Sequence, residues 1–171
     1  MANSFGQRIK RTWRHATSSK AEARQAFPQE TLNAIATAIA AGEQTHRGEV
    51  RVVVEKGLPL AEVWDDISNR RRALDLFGDF GVWDTEDNCG VLIYINLAEH
   101  KVDIVADRGI DRKIEQATWQ AICQTLTAGF KQGQFHQATL AAIEQVNALL
   151  REHFPANGAR PNELPDNPIV I

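Results

Sequence analysis

The chain has 171 residues, 43% of them apolar and 24% charged, with a formal net charge of −3. These values suit one soluble domain with a real core, and the slightly acidic balance argues against general nucleic-acid binding. No stretch approaches the roughly 18 apolar residues that span a bilayer. No apolar run follows the basic N-terminus as a signal peptide requires, so a cytoplasmic location is the expectation.

Residues 1–27 form a basic segment, with Arg8, Lys10, Arg11, Arg14, Lys20 and Arg24 against Glu22 alone, and with Phe5, Ile9 and Trp13 at helical spacing. A solvated basic helix is one reading of such a run; attraction to an anionic surface is the other. Pro28 suits the first turn of a helix whose apolar face is Leu32, Ile35, Ala36 and Ile39. Residues 49–55, EVRVVVE, read as a strand buried on both faces. A turn at 56–59 leads to one long helix in which Val63, Trp64, Ile67, Arg71, Leu74 and Phe77 share a face. Arg71 in that apolar phase is either a snorkelling arginine at the edge of the face or a guanidinium aimed at the acidic loop that follows.

Residues 90–96, GVLIYIN, are apolar on both alternating faces, the pattern of a central strand covered by helices. The polar turn 97–100 and the alternating strand 101–106 make a hairpin. Trp119, Ile122, Cys123, Leu126 and Phe130 define one further helix. Phe135, Leu140, Ile143, Val146, Asn147 and Leu150 define the next, with Gly133 between them. Residues 156–171 form a proline-rich tail, flexible or draped on the surface. The expected organisation is an N-terminal segment 1–27, a domain 28–155 and the tail. The expected fold class is α/β, a small mixed sheet flanked by helices in the order α-β-α-β-β-α-α. Strand 49–55 runs parallel to strand 90–96 across a crossover helix.

That topology gathers chemistry at one sheet edge. Hairpin strands are antiparallel, so the loop Asp84-Thr85-Glu86-Asp87-Asn88 converges on Asp107-Arg108-Gly109, and Glu49 starts the parallel strand beside them. Asp84, Asp87, Asn88, Asp107 and Glu49 could together hold a hard cation such as calcium, manganese or magnesium. The plainer alternative is that Asp84 caps the turn, Asp87 and Asn88 shape it, and Asp107 pairs with Arg108 or Arg71. Other motifs fail. Asp79-Phe80-Gly81 lacks the companion motifs of a kinase. Cys89 and Ile95 stand where a calcium-binding helix-loop-helix needs glycine and glutamate. The five histidines are scattered, and neither cysteine has a CxxC partner, so both read as small core residues.

Four stretches together carry a resemblance: GEVRVVVE at 48–55, the helix ending at Phe77-Gly78, WDTEDNCGVLIYINLAEHKVDIVADRGI at 83–110, and TWQAICQTLTAGFKQGQFHQATLAAIEQVNALLREHFP at 118–155. They resemble the TPM domain family, whose plant members are thylakoid-lumen proteins linked to photosystem II repair. The resemblance implies a mixed sheet flanked by helices and places the family's site at 84–88 and 107–109. It also implies divalent-cation binding and acid-phosphatase activity; the candidate catalytic residues are then Asp107 and Arg108 in the matching turn and, from its helix phase alone, Arg71. Alternatively it implies a non-catalytic accessory module for a membrane-associated protein. Most relatives resemble exported, membrane-anchored proteins. This chain shows neither feature and is similar to a short soluble branch.

Overall fold

The computed structural model describes residues 5–158 and 161–171. Residues 1–4 and 159–160, and the side chain of Phe5, lie outside the described residues. Two helices open the chain, α1 (Phe5–Thr17) and α2 (Lys20–Ala26). Ser19 caps α2 in a reciprocal box with Glu22, which satisfies two otherwise orphaned backbone donors. Next come α3 (Gln29–Glu43), β1 (Glu49–Glu55), α4 (Leu60–Trp64), α5 (Asn69–Asp79), β2 (Gly90–Asn96) and β3 (Lys101–Ala106). The chain ends with α6 (Arg108–Asp111), α7 (Gln116–Lys131), α8 (Phe135–His153) and β4 (Ile169–Val170).

The sheet is mixed, in the order β3-β2-β1-β4. β1 pairs parallel with β2 from Glu49 opposite Gly90 to Glu55 opposite Asn96. β2 and β3 form the expected hairpin, Val91 opposite Ala106 and Asn96 opposite Lys101. His100 turns it at a φ of 51°. The period of two sorts the strand side chains. Val50, Val52, Val54, Val91, Ile93 and Ile95 join a core with Ile35, Ile39, Trp119, Leu126, Ile143 and Leu150 from α3, α7 and α8. Val53, Leu92, Tyr94 and Val105 point to the other face, under Ala73 and Leu76 of α5.

Two expectations need correction. The long helix after residue 59 is broken: α4 ends at Trp64, Asp66 takes a φ of 57°, and Ser68 caps a new helix by accepting from the Arg71 N–H at 3.1 Å. A non-glycine residue in the left-handed region cannot continue a helix. The break leaves Leu74 exposed at 45% rather than buried. The tail, in turn, is partly built into the fold. Ile169 and Val170 pair parallel with Val53 and Val54, and Leu164 reaches the second core.

Candidate functional site

The acidic loop and the end of β3 do meet. The Asp107 N–H donates to the Gly90 carbonyl at 2.8 Å and the Glu49 N–H to the Cys89 carbonyl at 3.1 Å, so all three chain segments share one sheet edge. Gly109 lies so close to the loop that a Cβ there would stand 2.5 Å from the Asn88 carbonyl oxygen and 3.1 Å from that of Asp87. Only glycine fits such an approach. Gly90 is pinned the same way against the Val82 carbonyl. The loop is knitted internally: the Cys89 N–H donates to Thr85 Oγ1 at 3.0 Å, the Asn88 N–H to the Thr85 carbonyl at 3.1 Å, and Asn88 sits at a φ of 52°.

The side chains expected to converge there largely diverge. Among the described residues no three His, Cys, Asp or Glu side chains gather as a metal site. Asp84, Asn88 and Arg108 are exposed. Asp87 pairs with Arg47 at 3.2 Å, a partner that sequence pattern did not suggest. Glu49 starts β1 where expected, but its carboxylate is taken by the tail, accepting from the Leu164 N–H at 3.1 Å. Burial moves its pKa up. Arg71 does not approach the loop: with the helix broken at Asp66 its phase shifts to solvent, where it pairs with Asp75 at 3.0 Å.

Asp107 is different. It is 6% exposed, and its Oδ1 accepts from the Arg108 N–H at 2.7 Å as the cap of α6. Its Oδ2 is buried and has no hydrogen-bond partner among the described residues. A buried carboxylate oxygen without a donor is costly, and a hard cation is one group that satisfies it. Beside it, Cys89 is a poor nucleophile, because burial and then the Asp87 charge push its thiol up to about 11.

Two polar clusters that sequence reasoning missed lie at the opposite ends of β1 and β2. Glu55 receives Arg72 Nη2 at 2.8 Å and the Tyr94 hydroxyl at 2.5 Å. Glu99 receives Arg11 at 2.6 Å, His15 at 3.0 Å and Lys101 at 2.7 Å. The available signal was Glu55 itself: a charge that directly follows three successive valines in a strand buried on both faces requires a partner.

Fold and edge together define an α/β domain with a mixed four-stranded sheet among its described residues, covered by helices on both faces. The model of the TPM domain matches residues 21–149, and the chain belongs to that family. Among solved structures it is similar to the BA42 protein of the psychrophilic bacterium Bizionia argentinensis, determined by NMR, at 30% identity. That likeness covers 82% of this chain and 92% of BA42, with a TM-score of 0.72. No curated protein matches significantly.

Proposed function

We propose that the chain is a TPM-type binding module, the domain 28–155 with an appended N-terminal arm, that holds one hard divalent cation at the sheet edge around Asp107. The orphaned, buried Oδ2 of Asp107 carries this reading. The Asp87 and Asn88 carbonyls, drawn against Gly109, are oxygen donors of the kind calcium accepts beside carboxylates. Of the other carboxylates, Asp87 pairs with Arg47, Asp84 and Glu86 are exposed, and Glu49 is committed to the tail. The donor set is thus one carboxylate with main-chain oxygens, leaner than the five-residue cluster the sequence pattern suggested. A phosphomonoesterase would add a further step at the same cation, with the exposed Arg108 steadying the phosphate.

The test is a thermal-shift titration with calcium, manganese and magnesium on wild type and Asp107→Asn. Asparagine keeps the helix cap and removes the charge. Cation at 100 times its dissociation constant adds about 2.7 kcal/mol, a rise of about 5–10 °C at this chain length. A rise of that size in wild type, lost in the variant, is expected. No rise with any of the three ions overturns the reading. Where the rise is seen, turnover of a generic phosphate ester by wild type and its loss in Asp107→Asn would extend the reading to hydrolysis.

A further inference from the structure

α1 is an amphipathic helix with its apolar side turned outward. At 3.6 residues per turn, Ile9 and Trp13 share one side of it, with Lys10 and Arg14 flanking them, while Arg11 and His15 lie opposite. The opposite side is the one that meets the domain. His15 is buried, accepting the Leu58 N–H on Nδ1 at 2.9 Å and facing Glu99 through Nε2. Arg11 bonds Glu99 and, at 3.0 Å, Asp66. The helix therefore docks through polar and charged groups and leaves Ile9 at 45% and Trp13 at 71% exposure. Surface helices normally do the reverse.

α4, which packs against α1, repeats the pattern with Leu60 at 47% and Trp64 at 48% exposure, one turn apart. Half of the exposed large apolar side chains among the described residues thus lie on these two helices. α1 has no acidic residue, and Lys10 and Arg14 are exposed beside its apolar side; the acids around the face are the exposed Asp65 at the end of α4, Glu62 on α4, which pairs with Arg72, and the exposed Glu22 in the groove that Arg14 lines. α1 lies outside the matched TPM region, 21–149, whereas α4 lies within it, so the face joins an appended helix to the domain.

We infer that the α1–α4 face docks on an anionic lipid surface. Ile9, Trp13, Leu60 and Trp64 sit at the head-group boundary, and Lys10 and Arg14 meet the anionic head groups. Tryptophan beside basic residues on one side of a helix is the composition of an interfacial helix, and the absence of acid from α1 gives the charge complementarity. A concave protein partner would need no such charge bias.

Co-sedimentation with phosphatidylcholine vesicles, with and without phosphatidylglycerol, tests the inference. EDTA is present throughout, so the outcome is independent of the proposed cation site. Wild-type chain is expected to sediment with the anionic vesicles only, and less at high salt. Ile9→Ala/Trp13→Ala is expected to bind at least about tenfold more weakly, because the apolar area it would bury is lost. Lys10→Gln/Arg14→Gln is expected to bind about 30-fold more weakly, at about 1 kcal/mol per basic residue. All four side chains are exposed, so the thermal midpoints should not move. Failure of wild type to bind anionic vesicles overturns the inference, as does unchanged binding by both double variants. A wild-type dimer that Trp13→Ala makes monomeric, without vesicle binding, overturns it in favour of a protein interface.

Discussion

Arg72 and Glu55 show what a single buried charge demands. Glu55 ends a strand in which Val52, Val53 and Val54 are fully buried, and only 3% of its side chain is exposed. Arg72 meets it with two nitrogens, Nη2 at 2.8 Å and Nε at 3.1 Å, and extends Nη1 to Glu62 at 3.0 Å. Burial and then the Glu55 charge raise the Tyr94 phenol far above its ordinary range, so it remains a donor to that carboxylate. Removing one member of such a pair leaves an uncompensated charge, at a cost of about 3–5 kcal/mol. Arg72→Ala should lower stability by that amount in urea unfolding, and Arg72→Met/Glu55→Leu should recover most of it. A loss below about 1 kcal/mol in the single variant would mean that water reaches Glu55. Sequence pattern singled out Arg71, the neighbour that faces solvent, because it assumed one uninterrupted helix. Once Asp66 takes a left-handed conformation the phase restarts at Ser68, and Arg72 turns inward, as does Arg70, which donates to the Ile104 carbonyl.

The strand signals were legible because short β-branched runs are bounded by polar turns, and length and β-branching separate them from a buried helix; β1, β2 and the β2–β3 hairpin fall within their expected bounds. The interruption after α4 was written only in Ser68-Asn69, a cap signature inside an apolar period, and there local capping overrides periodicity. The mounting of α1 was not legible either, since an amphipathic pattern does not say which side docks. In the fold, Glu99 decides it. Burial alone would raise the Glu99 carboxyl, but hydrogen bonds from His15, Lys101 and Arg11 outweigh that and hold it well below the usual carboxylate range. A depressed carboxylate contributes stability at pH values above its unfolded pKa and loses it as pH falls through the folded one, so the attachment of α1 should persist through mildly acidic conditions. Glu99→Gln should release it at neutral pH. Limited trypsin digestion, followed by mass spectrometry, is expected to cut after Lys10, Arg11 or Arg14 about tenfold faster in the variant, an opening free energy lower by about 1.4 kcal/mol. Equal cleavage rates would show that some other contact holds the helix.

At the scale of the molecule, the tail closes what the strand order leaves open. Without β4 the backbone of β1 would be a bare sheet edge, which folded proteins avoid. Residues 161–171 cover it and tie the sheet to the acidic loop: the Arg51 guanidinium donates to the Pro165 carbonyl, and Glu163 accepts the Glu86 N–H at 2.9 Å. Prolines 155, 161, 165 and 168 concealed this in the sequence, because a two-residue strand leaves no period to read. Near the strap, Glu43, Glu49 and Asp166 line one cavity. Burial, with the nearby Glu49 and Asp166 charges adding to it, pushes the Glu43 carboxyl from 4.5 up to about 8. A raised carboxylate favours folding in its protonated form, so its stability is complete below pH 4.5, is lost as pH rises toward 8, and stays lost above that. Glu43→Gln keeps the oxygen that accepts the Val50 N–H at 2.9 Å and abolishes the ionisation. Relative to wild type the variant should be about 3 kcal/mol more stable at pH 9, a figure reduced for the side chain's partial contact with solvent, and nearly equal at pH 4.5. Urea midpoints of both proteins between pH 4.5 and 9 measure this. Parallel curves would mean that Glu43 ionises as an ordinary surface acid and that the tail lies over it without confining it.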